Sequence, residues 1–134
     1  VTVFKNVGAE AGASMAHTHS QLVATPFVPN NLRDELAGAE AYHQQTGRCG
    51  YCDEVVGGPG GEPPRVVAET PNFAAVCPYA PRFAYEMWVL PRDHHSHYDA
   101  LTDAAAAELA ALVRRLLGKL DLVLGEPAYN YYLH

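Results

Sequence analysis

Three residues in the middle of a small-residue segment are the ones best equipped for chemistry: His17-Thr18-His19. On an extended chain, residues two apart share a face, with Cα atoms roughly 6.5–7 Å apart by the strand rise. One imidazole can then be anchored while the other meets a substrate. A neutral imidazole is a nucleophile near neutral pH because its ordinary pKa is about 6.5. Attack on the phosphorus of a nucleotide would leave a covalent nucleotidyl-histidine and split one displacement into two. His19 is the candidate nucleophile. Gln21, two residues further on, shares its face and can donate an amide N–H to a phosphoryl oxygen. Upstream, Gly8 and Gly12 let backbone N–H groups approach an anion as a nest, and Asn6 and Ser14 add side-chain donors. An isolated H-x-H reads most simply as surface histidines. The full pattern Asn-x-Gly-x-x-x-Gly-x-Ser-x-x-His-x-His-x-Gln outweighs that reading, because every fixed position carries a type useful for phosphate.

A second constellation is Arg48-Cys49-Gly50-Tyr51-Cys52, the spacing by which two thiolates chelate one tetrahedral ion. Soft thiolates combined with imidazole favour zinc. Pro91-Arg92-Asp93-His94-His95-Ser96-His97 supplies three histidines, so Cys49, Cys52, His94 and His97 would complete a Cys2His2 set. A redox pair is the competing chemistry, but no βαβ pattern flanks the cysteines to support it; a chance C-x-x-C is the other alternative. Cys77 completes an odd count of three, which argues against a disulfide scaffold and for a reducing, cytoplasmic setting. Cys77 itself reads as a small buried hydrophobe.

These groups need a frame. The chain has 134 residues, 49% hydrophobic and 18% charged, enough for one ordinary domain with a modest core. A net charge of -6 gives no basic footprint for nucleic acid, so phosphate must be held by local donors. No apolar run approaches the ~20 residues that span a bilayer. Strands are expected at Val1–Phe4 (turning at Lys5–Gly8), from about Thr18 to Val28, at Arg65–Glu69, Phe73–Cys77 and Tyr85–Leu90, and from Tyr129. Gly57–Pro64 reads as loop and Cys49–Cys52 as a knuckle. Helices are expected at Leu32–Thr46, stopped by Gly47, and at Asp103–Leu124, capped by Thr102 and stopped by Gly125. Leu109, Leu112, Val113, Leu116, Leu117, Leu120 and Leu124 line one face of the second helix, which therefore packs on a sheet. The pattern is α+β with mostly antiparallel pairing. The chain opens on a strand already under way, without methionine, and reads as an internal piece of a longer protein. Asp99, Asp103, Arg114 and Arg115 read as caps and solvated faces. His43 and His95 show no partner.

Residues 4 to 21, Phe-Lys-Asn-Val-Gly-Ala-Glu-Ala-Gly-Ala-Ser-Met-Ala-His-Thr-His-Ser-Gln, resemble the active-site segment of the galactose-1-phosphate uridylyltransferase family. They are most similar to its branch containing plant ADP-glucose phosphorylase, with a His-Ser-His-Ser-Gln form. The resemblance implies a histidine-triad-like fold with two related halves and a homodimer when full length. Residues 1–31 would be the end of the first half with its active-site loop, 32–48 a connecting helix, and 49–134 most of the second half. His19 would be the nucleotidylated residue, steadied by Gln21, with Asn6, Gly12 and Ser14 on the nucleotide phosphates. His17 would be a ligand of a structural zinc whose other ligands lie upstream of Val1. The second metal set would be Cys49, Cys52 and His94, with a fourth ligand beyond His134 or His97 in its place. Other members instead use positions matching Glu35 and His134. Glu86 and Trp88 match a Phe-Glu-x-Trp-like strand, although plain sheet packing explains them as simply. Thr18 stands where many members have proline, which leaves the nucleotide open. The implied activity is transfer of a nucleoside monophosphate, UMP favoured, from a nucleotide sugar to a hexose 1-phosphate, as in galactose metabolism. ADP-glucose phosphorylase, with phosphate as acceptor, and a catalytically inactive zinc-stabilised binding module are the alternatives.

Overall fold

The computed structural model describes residues 1–57 and 64–133. Most of the loop expected at Gly57–Pro64, and His134 as a metal ligand, lie outside the described residues. The elements in chain order are β1 (Thr2–Val7), β2 (Ser20–Val23), α1 (Asn30–Thr46), α2 (Gly50–Val56), β3 (Val66–Glu69), β4 (Phe73–Val76), β5 (Trp88–Pro91), α3 (Asp103–Leu124) and β6 (Tyr129–Leu133). They form two compact units, Val1–Val28 with Arg115–His134, and Pro29–Arg114. Among the described residues no helix is long and apolar enough to cross a membrane.

The first unit contains a three-stranded sheet of order β2-β1-β6, antiparallel throughout. β1 is longer than its sequence suggests. Lys5, Asn6 and Val7, expected to turn, stay extended because β6 pairs with them at Tyr131, Asn130 and Tyr129. The turn comes at Gly8, with φ 86 and ψ 148, a region accessible essentially to glycine alone. A Cβ there would also lie 2.8 Å from the Cβ of Ala128. A single 3-10 turn, Ala9–Ala11, follows and closes on Gly12 at φ 79. The second extended stretch shrinks to Ser20–Val23. Pro26 and Pro29 lack the N–H that a ladder needs, and Thr25 Oγ1 donates to the Phe27 carbonyl at 2.7 Å, turning the chain.

The second unit has an antiparallel sheet of order β3-β4-β5, with β4 entirely buried. Phe73, Ala74, Ala75 and Val76 are 4% exposed or less, so this strand is the core of the unit. α1 begins at Asn30, two residues earlier than expected, and ends where Gly47 (φ 69) donates its N–H to the His43 carbonyl at 2.8 Å. Its apolar positions stay shallow: none of its residues is buried, and Leu36 is 56% exposed. β5 is shorter than Tyr85–Leu90. Tyr85 takes φ 63, and Glu86 turns inward to accept from the N–H groups of Arg82 (2.5 Å) and Phe83 (3.3 Å) and from Trp88 Nε1 (2.9 Å). Burial pushes the Glu86 carboxyl up, but the Trp88 indole, these backbone donors and the Arg82 charge outweigh it and hold it below the usual range. Glu86 thus clamps the loop before β5 instead of standing in the strand.

α3 matches its expected span. Thr102 Oγ1 accepts from the Ala105 N–H at 3.2 Å, and Gly125 (φ 70) donates to the Asp121 carbonyl at 2.9 Å. Leu112 and Leu116 are its buried residues, 1% and 4% exposed, while Leu124, also expected on the packed face, is 37% exposed. Near its start, Glu108 accepts from Asn72 twice, at N (2.8 Å) and Nδ2 (2.6 Å), tying the helix to the β3–β4 turn.

Two outcomes follow. Gly8→Ala should cost about 1–3 kcal/mol in a urea titration for its forbidden backbone region, with the Ala128 clash added, and more than Gly12→Ala, whose nearest neighbour stands at 3.7 Å. For Glu108, hydrogen bonds from Thr70 and Asn72 hold the carboxyl below its ordinary value. Its contribution is therefore present above the ordinary carboxylate pKa and is lost as pH falls through the folded value. Glu108→Gln, which keeps one acceptor oxygen for the three donors of Thr70 and Asn72, should lower stability at neutral pH, with the difference from wild type shrinking in acid. A pH-independent difference would contradict this.

Candidate active site and metal centre

The first unit presents its chemistry on one face of a sheet. Phe4 stands opposite Gln21 on β2 and Tyr132 on β6, and Asn6 opposite Asn130. Directly opposed residues share a face, so Gln21 stands on the face of Phe4, and Asn6, two residues along β1, stands on it too. The β1–β2 register ends at Lys5 and Ser20, and His19 is the residue just before β2. His19, Gln21 and Asn6 are all half-buried. His17 is exposed, its ring 5.8 Å from that of His19 and tilted by 55°. His19 Nδ1 lies 3.3 Å from the His17 carbonyl. With the proton on Nδ1, that contact leaves the Nε2 lone pair free, the arrangement a nucleophile requires.

The glycine loop differs from the open nest expected of it. The N–H groups of Ala11, Gly12 and Ala13 donate inward to the carbonyls of Gly8, Ala9 and Gly8, at 3.2, 3.0 and 3.1 Å. Asn6 Nδ2 reaches the Gly12 carbonyl at 3.5 Å, the outer limit for such a bond. What the loop offers instead is an open depression of ≈ 250 Å³ lined by Gly8, Ala9, Ala13, Ser14, Met15 and Ala16. Ser14 belongs to it; His19 and Gln21 do not.

In the second unit the ligating atoms of Cys49, Cys52 and His94 all lie within 4.8 Å of one another, with Cys52 Sγ 3.3 Å from His94 Nδ1. Metal–ligand bonds of about 2.0–2.3 Å set ligands roughly 3.3–3.8 Å apart around one tetrahedral ion. The triad closes on such an ion with shifts of about 1 Å, and two thiols with one imidazole are the donor set of zinc. Burial, then the hydrogen bond and charge of Cys49, push the Cys52 thiol up. A bound dication reverses that preference. Among the described residues no other group of three or more His, Cys, Asp or Glu could hold an ion. His97 stands outside this cluster, capping the 3-10 turn Tyr98–Ala100. Glu35 is instead paired with Arg82 at 2.8 Å.

The cysteine pair is not a loop knuckle. Cys49 is the N-cap of α2, in extended conformation, and Cys52 lies in its first turn. What fixes that helix is a residue the sequence reading passed over. Asp53, 7% exposed, takes Arg48 Nε on both oxygens (2.9 and 3.0 Å), a closer contact from Arg48 Nη2, and the Tyr42 hydroxyl at 2.7 Å. The Arg48 hydrogen bond, more than the Tyr42 bond, holds the carboxyl below its usual range against the opposing effect of burial. His43, read as unpartnered, donates from Nδ1 to the Arg48 carbonyl at 3.2 Å. The Arg48 N–H is taken by Thr46 Oγ1 at 3.1 Å. A carboxylate directly after the second cysteine and an arginine directly before the first were the available signal.

No protein-family model matches the chain. It is 39% identical over 134 residues to ADP-glucose phosphorylase of Arabidopsis thaliana, covering 100% of this chain and 36% of that protein. It is 31% identical over 121 residues to a galactose-1-phosphate uridylyltransferase of Thermotoga maritima, covering 90% of this chain and 37% of that protein. A crystal structure of the Arabidopsis ADP-glucose phosphorylase with bound ADP-glucose superposes with a TM-score of 0.91 at 38% identity, over 99% of this chain and 41% of that one. A uridylyltransferase structure gives 0.86 at 33% identity, over 99% and 41%. The chain spans well under half the length of these relatives. Antiparallel sheets with a long helix, joined to a paired-histidine segment, make the chain an α+β protein of the fold these structures share. In sequence and fold the chain belongs with the galactose-1-phosphate uridylyltransferase family.

The metal site carries its own test. Cys49, Cys52 and His94 should together hold one zinc ion per chain, measured by elemental analysis, and Cys52→Ser should lower zinc content by that one ion and stability with it. A structural zinc can supply on the order of 10 kcal/mol of folding free energy. Asp53→Asn should cost about 1–3 kcal/mol by replacing the buried charged acceptor of Arg48 and Tyr42 with an amide that accepts on one atom only. Full zinc occupancy in the Cys49→Ser, Cys52→Ser double variant would refute the site.

Proposed function

We propose that this chain carries the catalytic segment of a nucleotidyltransferase. It passes a nucleoside monophosphate, UMP favoured, from a nucleotide sugar through a covalent His19 intermediate to a hexose 1-phosphate. The observation that supports this reading is His19 with Nδ1 against the His17 carbonyl, immediately before the strand whose Gln21 shares a sheet face with Phe4 and Asn6. In the first half-reaction Nε2 attacks the α-phosphorus, the N–P bond forms, and the P–O bond to the sugar 1-phosphate breaks. The Nδ1 proton stays on the ring and balances the new bond. In the second, a phosphate oxygen of the acceptor attacks, the P–N bond breaks, and neutral His19 returns. Gln21 donates to the phosphoryl oxygens as charge builds there. Asn6, Gly12 and Ser14 hold the nucleotide phosphates, Ser14 from the depression in the loop.

Cys49, Cys52 and His94 hold a zinc ion whose contribution is structural, cross-linking the start of α2 to the segment after β5. His17 serves a second zinc with ligands from elsewhere in the protein. The halves divide at 1–31, 32–48 and 49–134, the full-length protein works as a homodimer, and its free thiols suit the cytoplasm. A second reading, ADP-glucose phosphorylase with phosphate as acceptor, is supported by the 39% identity to the Arabidopsis protein over the whole chain. An inactive zinc-stabilised module is the weaker alternative, because His19, Gln21, Gly12 and Ser14 are all retained.

Incubation with labelled UDP-glucose and ADP-glucose in turn, without acceptor, should leave a nucleotidyl mass adduct on His19 with one of them. The digest is kept alkaline because the bond is acid-labile. His19→Ala should lower turnover by at least about 10⁴-fold, and His19→Gly should regain activity with added imidazole. An adduct on His17 would overturn the assignment.

A further inference from the structure

We propose that Asn130 is a further binding residue of this site, its carboxamide holding the phosphate of the group that exchanges between the two half-reactions. That group is the sugar 1-phosphate leaving the donor and then the acceptor that replaces it. The inference rests on the nucleotidyl-transfer reading and extends it to a strand that lies more than a hundred residues further along the chain. Asn130 is directly opposite Asn6, and Tyr132 directly opposite Phe4, while Phe4 is opposite Gln21 on the other side of β1. The sheet face therefore carries the opposed pair Asn6 and Asn130, with His19 just before β2 on the other side of β1, and a row running Gln21, Phe4, Tyr132. With strands about 4.7–4.9 Å apart, Asn130 stands one strand beyond Asn6 and two beyond the nucleophile. A phosphoryl group seated between His19 and Asn6 has its neighbouring phosphate over β6.

Exposure rises toward β6, in the direction this assignment needs. His19, Asn6 and Gln21 are half-buried, whereas Asn130 is exposed and Tyr132 is 39% exposed. The nucleotidyl group stays on His19 between half-reactions, while its partner must diffuse out and a new one diffuse in. A carboxamide brings two N–H donors and no charge, so it orients a phosphate without the tight ion pair that would retard its release. The alternating residues Tyr129 and Tyr131 are half-buried on the opposite face, and Lys5, opposite Tyr131, points with them. Asn130 thus supplies a polar donor on β6 opposite Asn6, where an acceptor phosphate would sit.

The test is steady-state kinetics of Asn130→Ala and Asn130→Asp, with glucose 1-phosphate and inorganic phosphate as acceptors and the nucleotide sugar that labels His19 as donor. Loss of one charge-assisted hydrogen bond should raise the acceptor KM about tenfold in Asn130→Ala. Asn130→Asp, which sets a negative charge against the phosphate, should raise it further. Both acceptors should be affected, since the contact is to phosphate. At saturating acceptor, kcat should fall by less than KM rises. An unchanged KM in both variants, a fall in kcat alone, or a KM increase confined to glucose 1-phosphate would each overturn the assignment. Those results, obtained where the unaltered protein still forms the His19 adduct, would leave the nucleotidyl-transfer reading standing. Absence of the adduct in the unaltered protein would overturn that reading and this one with it.

Discussion

A carboxylate held between an arginine and a tyrosine organises the second unit. Asp53 would be costly to bury alone; paired with Arg48 and bonded by Tyr42, it is satisfied on both oxygens. Because Tyr42 is on α1 and Asp53 on α2, the pair fixes the angle at which the chain leaves one helix and enters the next. Gly50 completes the joint: an added Cβ would meet the Tyr42 ring at 3.5 Å, so the start of α2 lies close against that ring. Cys49 and Cys52 bracket this turn, and their approach to His94 follows from it. A charge pair so close to a metal site belongs to the outer shell that orients ligands and tunes their affinity.

A similar logic recurs at the other acids of this unit. Glu54 accepts from Arg65 at 2.8 Å and from the Tyr79 N–H at 3.2 Å, and Arg65 also donates to the Cys77 carbonyl. Glu86 and Glu108 each tie down a loop through backbone N–H groups. Among the described residues β4 is the only strand wholly buried and α1 contributes no buried residue, so the apolar core they form is small. Loop geometry is set instead by carboxylates that accept several donors at once. Such bonds are charge-assisted and stronger than neutral ones, which suits a unit with few large side chains inside.

What could be read from the sequence was whatever depends on neighbours in sequence. α3 was legible to the residue because Thr102, the leucine period and Gly125 each act within one turn. The stop of α1 at Gly47 was legible for the same reason. β1 and β5 were misjudged because their ends are decided by partners far away in sequence: β6 extends β1 through Asn6, and the Glu86 side chain removes Tyr85 from β5. The Cys49, Cys52 and His94 set was readable because ligand chemistry narrows the choice, but not the exclusion of His97, which turns on the backbone after His94. Asp53 stood next to the cysteine pair, but its burial between Arg48 and Tyr42, like the inward N–H groups of the glycine loop, depends on side-chain or backbone directions that a list of residue types does not carry.

The period of two that first drew attention to His17 and His19 also explains why the candidate site is one-sided. On β1, alternate residues Phe4 and Asn6 face the same way as Gln21, while Lys5, the one basic residue nearby in sequence, faces the other. The polar groups of the candidate site here are therefore carboxamides and an imidazole, with no lysine or arginine among them. In a chain of net charge -6, that composition gives weak attraction at a distance and selectivity at contact. It also leaves the imidazole without a neighbouring cation on the row to compete for the phosphoryl oxygens. A shift of one residue in the β1–β2 register would set Lys5, not Phe4, on the face of Gln21. On its other side β1 is fixed independently by five paired positions with β6, which settle the face on which Asn6 stands.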